Sequence, residues 1–223
     1  MLEDNFEAVV ARINQAKAKA NRHDEVHLVG VTKYVDVDQA RALVKAGVHE
    51  IAENRTELFL EKYQAMQDLE VTWHLIGSLQ RRKVKDVINL VDYFHALDSF
   101  KLAQEIQKRA EKTISVFVQV NVSGELSKHG FSPEELKPFI EALNAFDRIK
   151  VVGLMTMAPI DANEQELRAY FSTLRQYRDQ IKSMNLPYAP CEELSMGMSR
   201  DYEIAIEAGA TYVRIGSDFF KNN

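Results

Sequence analysis

The feature that most constrains this chain is an alternation. Short apolar runs that read as strands are separated each time by a stretch of helical periodicity, and the pattern repeats about eight times. The runs lie at residues 27–32 and 49–52, then in "VTWHLIG", "YFHALD", "ISVFVQVNV", "KVVGLM", "CEELS" and "TYVRIG". A leading helix is expected over 2–22. Others are expected near 37–46 and 55–67, in "LQRRKVKDVINL" and "SFKLAQEIQKRAE", from Ser132-Pro133 onward, and over 164–183 and 200–208. Strict alternation requires right-handed crossovers and a parallel sheet. With 223 residues available, the expectation is α/β: one (β/α)8 TIM-type barrel spanning 1–223, with an extra N-terminal helix. Such barrels run from about 200 residues upward. A doubly wound open sheet is the competitor, but no G-x-G-x-x-G follows the first strand. No Pro/Gly/Ser-rich linker interrupts the pattern.

Local signals support the helix ends. Ser132-Pro133-Glu134-Glu135 places a capping serine, a first-turn proline and acids at a helix start. Lys45-Ala-Gly-Val and Glu207-Ala-Gly-Ala both read as helix, glycine stop, strand.

Charge bears on function class. The formal net charge is -5, so no overall basic field favours nucleic acid and a small ligand is expected. Arg81-Arg82-Lys83 with Lys85 reads as one solvated helix turn, with an anion contact as the alternative. The single cysteine, Cys191, has no Cys or His at metal-ligand spacing and is expected to be a buried small hydrophobe. One cysteine fits a reducing cytosol. The N-terminus lacks the basic start and apolar core of a signal peptide, and no run approaches the roughly 20 apolar residues of a membrane span. A cytoplasmic protein without membrane contact is expected.

A barrel also assigns faces. Strand residues alternate between helix layer and lumen, and the C-terminal strand ends carry the site. His27, Val29, Val31 and Lys33 share one face, so a lumen-facing first strand would deliver Lys33 to the mouth. Gln119, Asn121, Tyr212 and Arg214 would also point inward, with Val116, Val118, Val120, Val213 and Ile215 on the helix side. His74 and His95 lie near the ends of their strands. Lysine at a partly desolvated site can form an imine with a carbonyl; a structural ion pair is the plainer reading.

The last two units suggest an anion site. "LSMGMSRDYEIAIEAGA" reads as a small turn entering a helix, where Ser199 would be either a donor to phosphate or an N-cap. In "RIGS", Gly216 would either admit a ligand to the backbone or simply turn the chain. A lysine imine opposite a phosphate site suggests pyridoxal 5′-phosphate or a sugar-phosphate aldolase, and these residues alone do not separate the two.

Longer segments carry a resemblance. "VGVTKY", "AENRTE", "WHLIGSLQRRKVK", "VQVNVSGELSKHGF", "GLMTMAP" and "LSMGMSRDYEIAIEAGATYVRIGS", in that order, resemble the pyridoxal phosphate homeostasis protein family, whose fold resembles the N-terminal barrel of alanine racemase. The match runs nearly end to end. It departs at Ala52, Arg55, Arg82 and the closing "DFFKNN". The resemblance implies a Schiff base on Lys33, with Ser199, Gly216 and Ser217 around the phosphate and Arg214 toward the pyridine nitrogen. It also implies Asn54 beside the cofactor and Met155 and Met198 lining the pocket. The function implied is holding and delivering pyridoxal 5′-phosphate, without turnover, with transient contact to apoenzymes that use it. A weak racemase-like enzyme is the alternative, and a cofactor-free aldolase a third. A racemase would need a second domain and an opposite base, for which His74, His95 and Lys128 are the remaining candidates.

Overall fold

The computed structural model describes residues 1–127 and 129–222; Lys128 lies outside them. In chain order the elements are α1 (Leu2–Lys19), β1 (His27–Val31), α2 (Val37–Ala46), β2 (Glu50–Glu53), α3 (Thr56–Ala65) and β3 (Thr72–Leu75). Next come α4 (Val84–Val87), β4 (Tyr93–Leu97), α5 (Phe100–Arg109), β5 (Ile114–Gln119), α6 (Pro133–Ala142) and β6 (Ile149–Met155). The last are α7 (Glu164–Ser183), β7 (Glu193–Met198), α8 (Tyr202–Glu207) and β8 (Tyr212–Ile215). The strands form a closed parallel barrel in sequence order, and β8 pairs with β1. The expected (β/α)8 architecture is therefore the observed one.

Caps explain where helices begin. The Asp36 carboxylate accepts from the Gln39 N–H at 2.9 Å, and α2 stops at Gly47 with φ 122°. Asn163 accepts from the Glu166 N–H at 2.9 Å to open α7, and Ser99 accepts from the Leu102 N–H at 3.1 Å to open α5. Two expectations are corrected. "LQRRKVKDVINL" forms a 3-10 turn over Arg81–Lys83 and only one α turn, Val84–Val87, with Leu79, Val84, Val87 and Ile88 buried. "LSMGM" is strand, not turn. Gly197, at φ 98°, bulges β7 where an added Cβ would lie 2.7 Å from the Ala205 Cβ.

The N-terminal helix completes the outer ring. Val9, Ile13 and Ala16 bury one face of α1, which packs against α8 and α2. Asn5 donates to the Phe219 carbonyl at 2.8 Å, and Arg12 reaches Asp218 at 3.1 Å. The helix ahead of β1 thus occupies the place of the helix that would follow β8. Among the described residues, eight α-helices surround eight strands.

Candidate functional site

Lys33 lies two residues beyond β1, half-buried at the C-terminal rim. Its ammonium sits 5.0 Å from the centre of the Tyr34 ring. The plainer reading, an ion pair, is not formed with any described residue, so the amine is uncommitted.

A buried ion pair supports it from behind. The Lys62 ammonium, on α3, donates to the carbonyl of Thr32 at 2.6 Å and to the Glu53 carboxylate. Thr32 Oγ1 donates to the same carboxylate oxygen at 2.6 Å. Glu53 and Lys62 are fully enclosed, and Glu53 Oε2 has no described partner. This cluster holds the end of β1 against the end of β2. Asn54 follows directly, and its buried Oδ1 is likewise unpartnered among the described residues. Gly77, at φ 92°, packs close to Asn54: an added Cβ would lie 3.2 Å from the Asn54 Cβ. An orphaned buried amide oxygen at the end of β2 suits a ligand that brings a donor.

The ends of β7 and β8 meet on the same rim. Ser199 Oγ accepts from the Gly216 N–H at 3.4 Å, a long contact that a better acceptor can displace. Ser199 is not the helix cap. Asp201 holds that position, and its Oδ1 accepts from the Met198 N–H at 2.7 Å. Gly216 has a reason beyond a turn, since an added Cβ would lie 2.9 Å from the Val31 carbonyl oxygen. Ser217 is exposed at the rim. Met155, buried, aligns with Gln119 and Ser195, and Met198 aligns with Arg214. Lys33, Asn54, Met155, Met198, Ser199, Gly216 and Ser217 therefore share the C-terminal end of the barrel.

The lumen beneath is polar and ordered. Arg214, 3% exposed, donates through Nη1 to Ser195 Oγ and through Nη2 to the Thr156 carbonyl at 3.1 Å. His95 Nδ1 lies 2.8 Å from Ser195 Oγ, and His95 Nε2 lies 2.8 Å from His74 Nδ1. His74 Nε2 meets Glu50 Oε1 at 3.0 Å, and Glu50 Oε2 meets His27 Nδ1 at 2.9 Å. Burial lowers the pKa of Arg214 to about 10, with Asp201 opposing. Burial also lowers His74 against the pull of Glu50, and pushes His95 well down, helped by the neighbouring His74 and by the Arg214 charge. Burial would raise the Glu50 carboxyl, but hydrogen bonds with His27 and His74 outweigh it and hold it at about 2.

These contacts correct the readings of His74 and His95. Both are fully buried and bonded to each other, not free at the mouth. Asn121 is also corrected. Its side chain organises the turn after β5, donating to the Glu125 carbonyl at 2.8 Å and accepting from the Gly124 N–H at 3.2 Å. Gln119, Tyr212 and Arg214 face inward as expected; Phe117 and His27 stack there on His95 and Tyr212 respectively. Cys191 is buried, and burial pushes its thiol up to about 12. The basic cluster is solvated: Lys83 pairs with Glu57, and Arg82 donates to Gln80 at 3.0 Å.

A cavity of about 170 Å³ opens at the opposite, N-terminal face between Tyr93, Lys150, Glu193 and Tyr212. Of the residues that the sequence directed inward, Tyr212 lines it and so lies at the end away from Lys33. Sequence reasoning missed Glu50, Glu53, Lys62 and Ser195. Lys62 carried a weak signal, a lysine three residues after buried Phe59 on the inner face of α3.

Comparison with known proteins agrees with this fold. The family model for the alanine racemase N-terminal domain matches residues 5–223. A pyridoxal phosphate homeostasis protein of Aquifex aeolicus is 42% identical, over 97% of this chain and 96% of its own. PipY of Synechococcus elongatus, solved with PLP bound, superposes with a TM-score of 0.86 at 26% identity, covering 99% of this chain and 100% of that one. An alanine racemase of Clostridium difficile shares the fold at TM-score 0.79 and 18% identity; the match covers 99% of this chain and 57% of the racemase. On barrel and end-to-end similarity together, the chain belongs to the pyridoxal phosphate homeostasis protein family, within the alanine racemase N-terminal domain fold.

Proposed function

We propose that this protein binds pyridoxal 5′-phosphate through a Schiff base on Lys33 and delivers it to apoenzymes that use it, without turnover of its own. The observation that carries the reading is the uncommitted Lys33 amine, on the same rim as Ser199, Gly216 and Ser217. When bound, the cofactor supplies an aldehyde that an amine can capture reversibly and a ring that can act as an electron sink. The residues of the chain do the rest. Lys33 provides the attaching nitrogen. Ser199, Ser217 and the Gly216 N–H offer donors to a phosphate. Asn54 offers its orphaned oxygen, and Met155 and Met198 give apolar walls. Arg214 presents only donors toward the ring. A guanidinium at the ring nitrogen disfavours its protonation and so weakens the electron sink that carbanion chemistry needs.

This favours a carrier over a racemase-like enzyme. Abstracting a proton from each face of an amino acid needs two bases. His74 and His95 are committed inside the lumen and cannot serve as the second. The recipients would be pyridoxal-phosphate-dependent apoenzymes met transiently in the cytoplasm. No described helix is long and apolar enough to cross a membrane.

Borohydride reduction of the loaded protein followed by peptide mapping tests the attachment. The label is expected on Lys33 and absent from Lys33→Ala; a label on Lys128 or another lysine would overturn it. Incubation with L-alanine in deuterated water tests the lack of turnover. No steady α-deuteration is expected, and Lys33-dependent formation of the D-isomer would instead make the protein an enzyme.

A further inference from the structure

The polar chain through the lumen has a direction, and its groups fix it. Glu50 is a carboxylate and can only accept, so His74 must carry its proton on Nε2 to meet Glu50 Oε1 at 3.0 Å. A neutral His74 then has a bare Nδ1, which must accept from His95 Nε2–H at 2.8 Å. A neutral His95 in turn has a bare Nδ1, which must accept the Ser195 hydroxyl proton at 2.8 Å. With its proton spent there, Ser195 Oγ faces Arg214 with lone pairs only, which is what a guanidinium requires. Full burial of both imidazoles keeps them uncharged, as the chain needs. His27 closes the far end on the second oxygen of Glu50 at 2.9 Å. Every donor meets an acceptor, and the series runs one way from a cation to an anion.

We infer that Glu50, His74, His95 and Ser195 are positioning residues for Arg214, a one-way hydrogen-bond chain that fixes which guanidinium N–H groups are used below and which remain for a ligand at the rim. The inference rests on the reading that Arg214 faces the cofactor ring. Arg214 has five N–H donors. Two are spent on Ser195 and on Thr156 O. Those left over are buried under the rim and suited to a ring acceptor. Removing the anion at the far end frees both imidazoles to switch tautomer. Ser195 can then turn its hydroxyl proton toward Arg214, and donor would face donor. The identity of Glu50, at the base of the barrel, therefore governs Arg214 at its mouth.

Nitrogen-15 NMR of the histidines in the cofactor-free protein is the first test. His74 and His95 are each expected to show a protonated Nε2 and a bare Nδ1, unchanged between pH 6 and 8. A protonated Nδ1, or titration of either ring in that range, would overturn the chain. The second test uses Glu50→Gln and Ser195→Ala, which cut it at opposite ends. Each is expected to shift the absorption band of bound pyridoxal phosphate and weaken its binding about fivefold or more. Ser195→Thr, which keeps the hydroxyl, is expected to retain the wild-type band. Wild-type bands and affinity in both Glu50→Gln and Ser195→Ala would refute a positioning role. Should one variant not fold, the other and the wild-type spectrum still decide. Failure of Lys33→Ala to affect cofactor capture would strike at the carrier reading instead, because the imidazole states are read without cofactor.

Discussion

At the scale of single residues, Ser199 is the sharpest case. Asp201, not Ser199, stands at the N-cap position of α8, so Ser199 lies outside the helix, and its one contact with the backbone among the described residues is the long one from Gly216. Ser199→Ala is therefore expected to weaken pyridoxal phosphate by about 1–3 kcal/mol and to leave pyridoxal, which has no phosphate, nearly unaffected. Titration of both ligands against wild type and variant by absorbance checks this; an equal loss for both would place Ser199 outside the phosphate site. Lys33 and Arg214 were placed from the sequence because each sits at or just beyond a strand tip, where alternation dictates direction; Ser199 and Gly216 were singled out only as a serine and a glycine in the last two loops. Glu50, Glu53, Lys62 and Ser195 could not. Their meaning lies in partners such as Ser195 and His95, 100 positions apart, and no local period encodes a pairing across the lumen.

At the scale of elements, the join between β1, β2 and α3 depends on a charge pair shut away from water. Removing one member leaves the other charge unpaired, a change that destabilises by about 3–5 kcal/mol. Lys62→Met is expected to do so, because Glu53 would keep only the Thr32 hydroxyl as a donor among the described residues. Pairing it with Glu53→Leu should recover most of the loss. Urea midpoints of the single and double variants check the order. Elements were legible where capping chemistry is local. Residues 37–46 and 164–183 were placed to the residue, since Asp36, Gly47 and Asn163 announce those ends. The stretch from β7 into α8 was misread. Gly197 and the serines look like a turn, and only the nearness of Ala205 reveals that the glycine serves a bulged strand.

At the scale of the whole molecule, the buried lumen makes stability depend on pH. His74 and His95 are held neutral in the folded barrel, below their ordinary value of 6.5, chiefly by burial. The unfolded chain binds those protons more readily, so their contribution is present above about pH 6.5 and declines as pH falls below it. Glu50, held at about 2 against 4.5, adds a loss between those two values as acid is added. His27 acts oppositely. Glu50 raises its pKa, so its stabilisation is full below 6.5 and fades as pH rises through the raised value. Urea midpoints are therefore expected to fall on acidification from pH 7 to 3, with the lower part of the decline blunted in Glu50→Gln. A flat profile would show that the lumen charges are not coupled to folding. The architecture itself was legible, because alternation in eight units leaves few ways to close a sheet. The place of α1 was not, since only the meeting of β8 with β1 shows which gap it fills.

That placement makes the molecule a ring in which backbone order and spatial order are out of step by one helix. Asn5 grips the Phe219 carbonyl, so the two tails of the chain are bound side by side. The ring would therefore tolerate circular permutation at the turn between α1 and β1. A chain opened there and joined from β8 into α1 would read strand then helix throughout. Contacts now separated by more than 200 positions would become neighbours in sequence, and the entropy of closing that long loop would no longer oppose formation of this joint. A joint that the native order closes across almost the whole chain would then close locally, with no side chain changed.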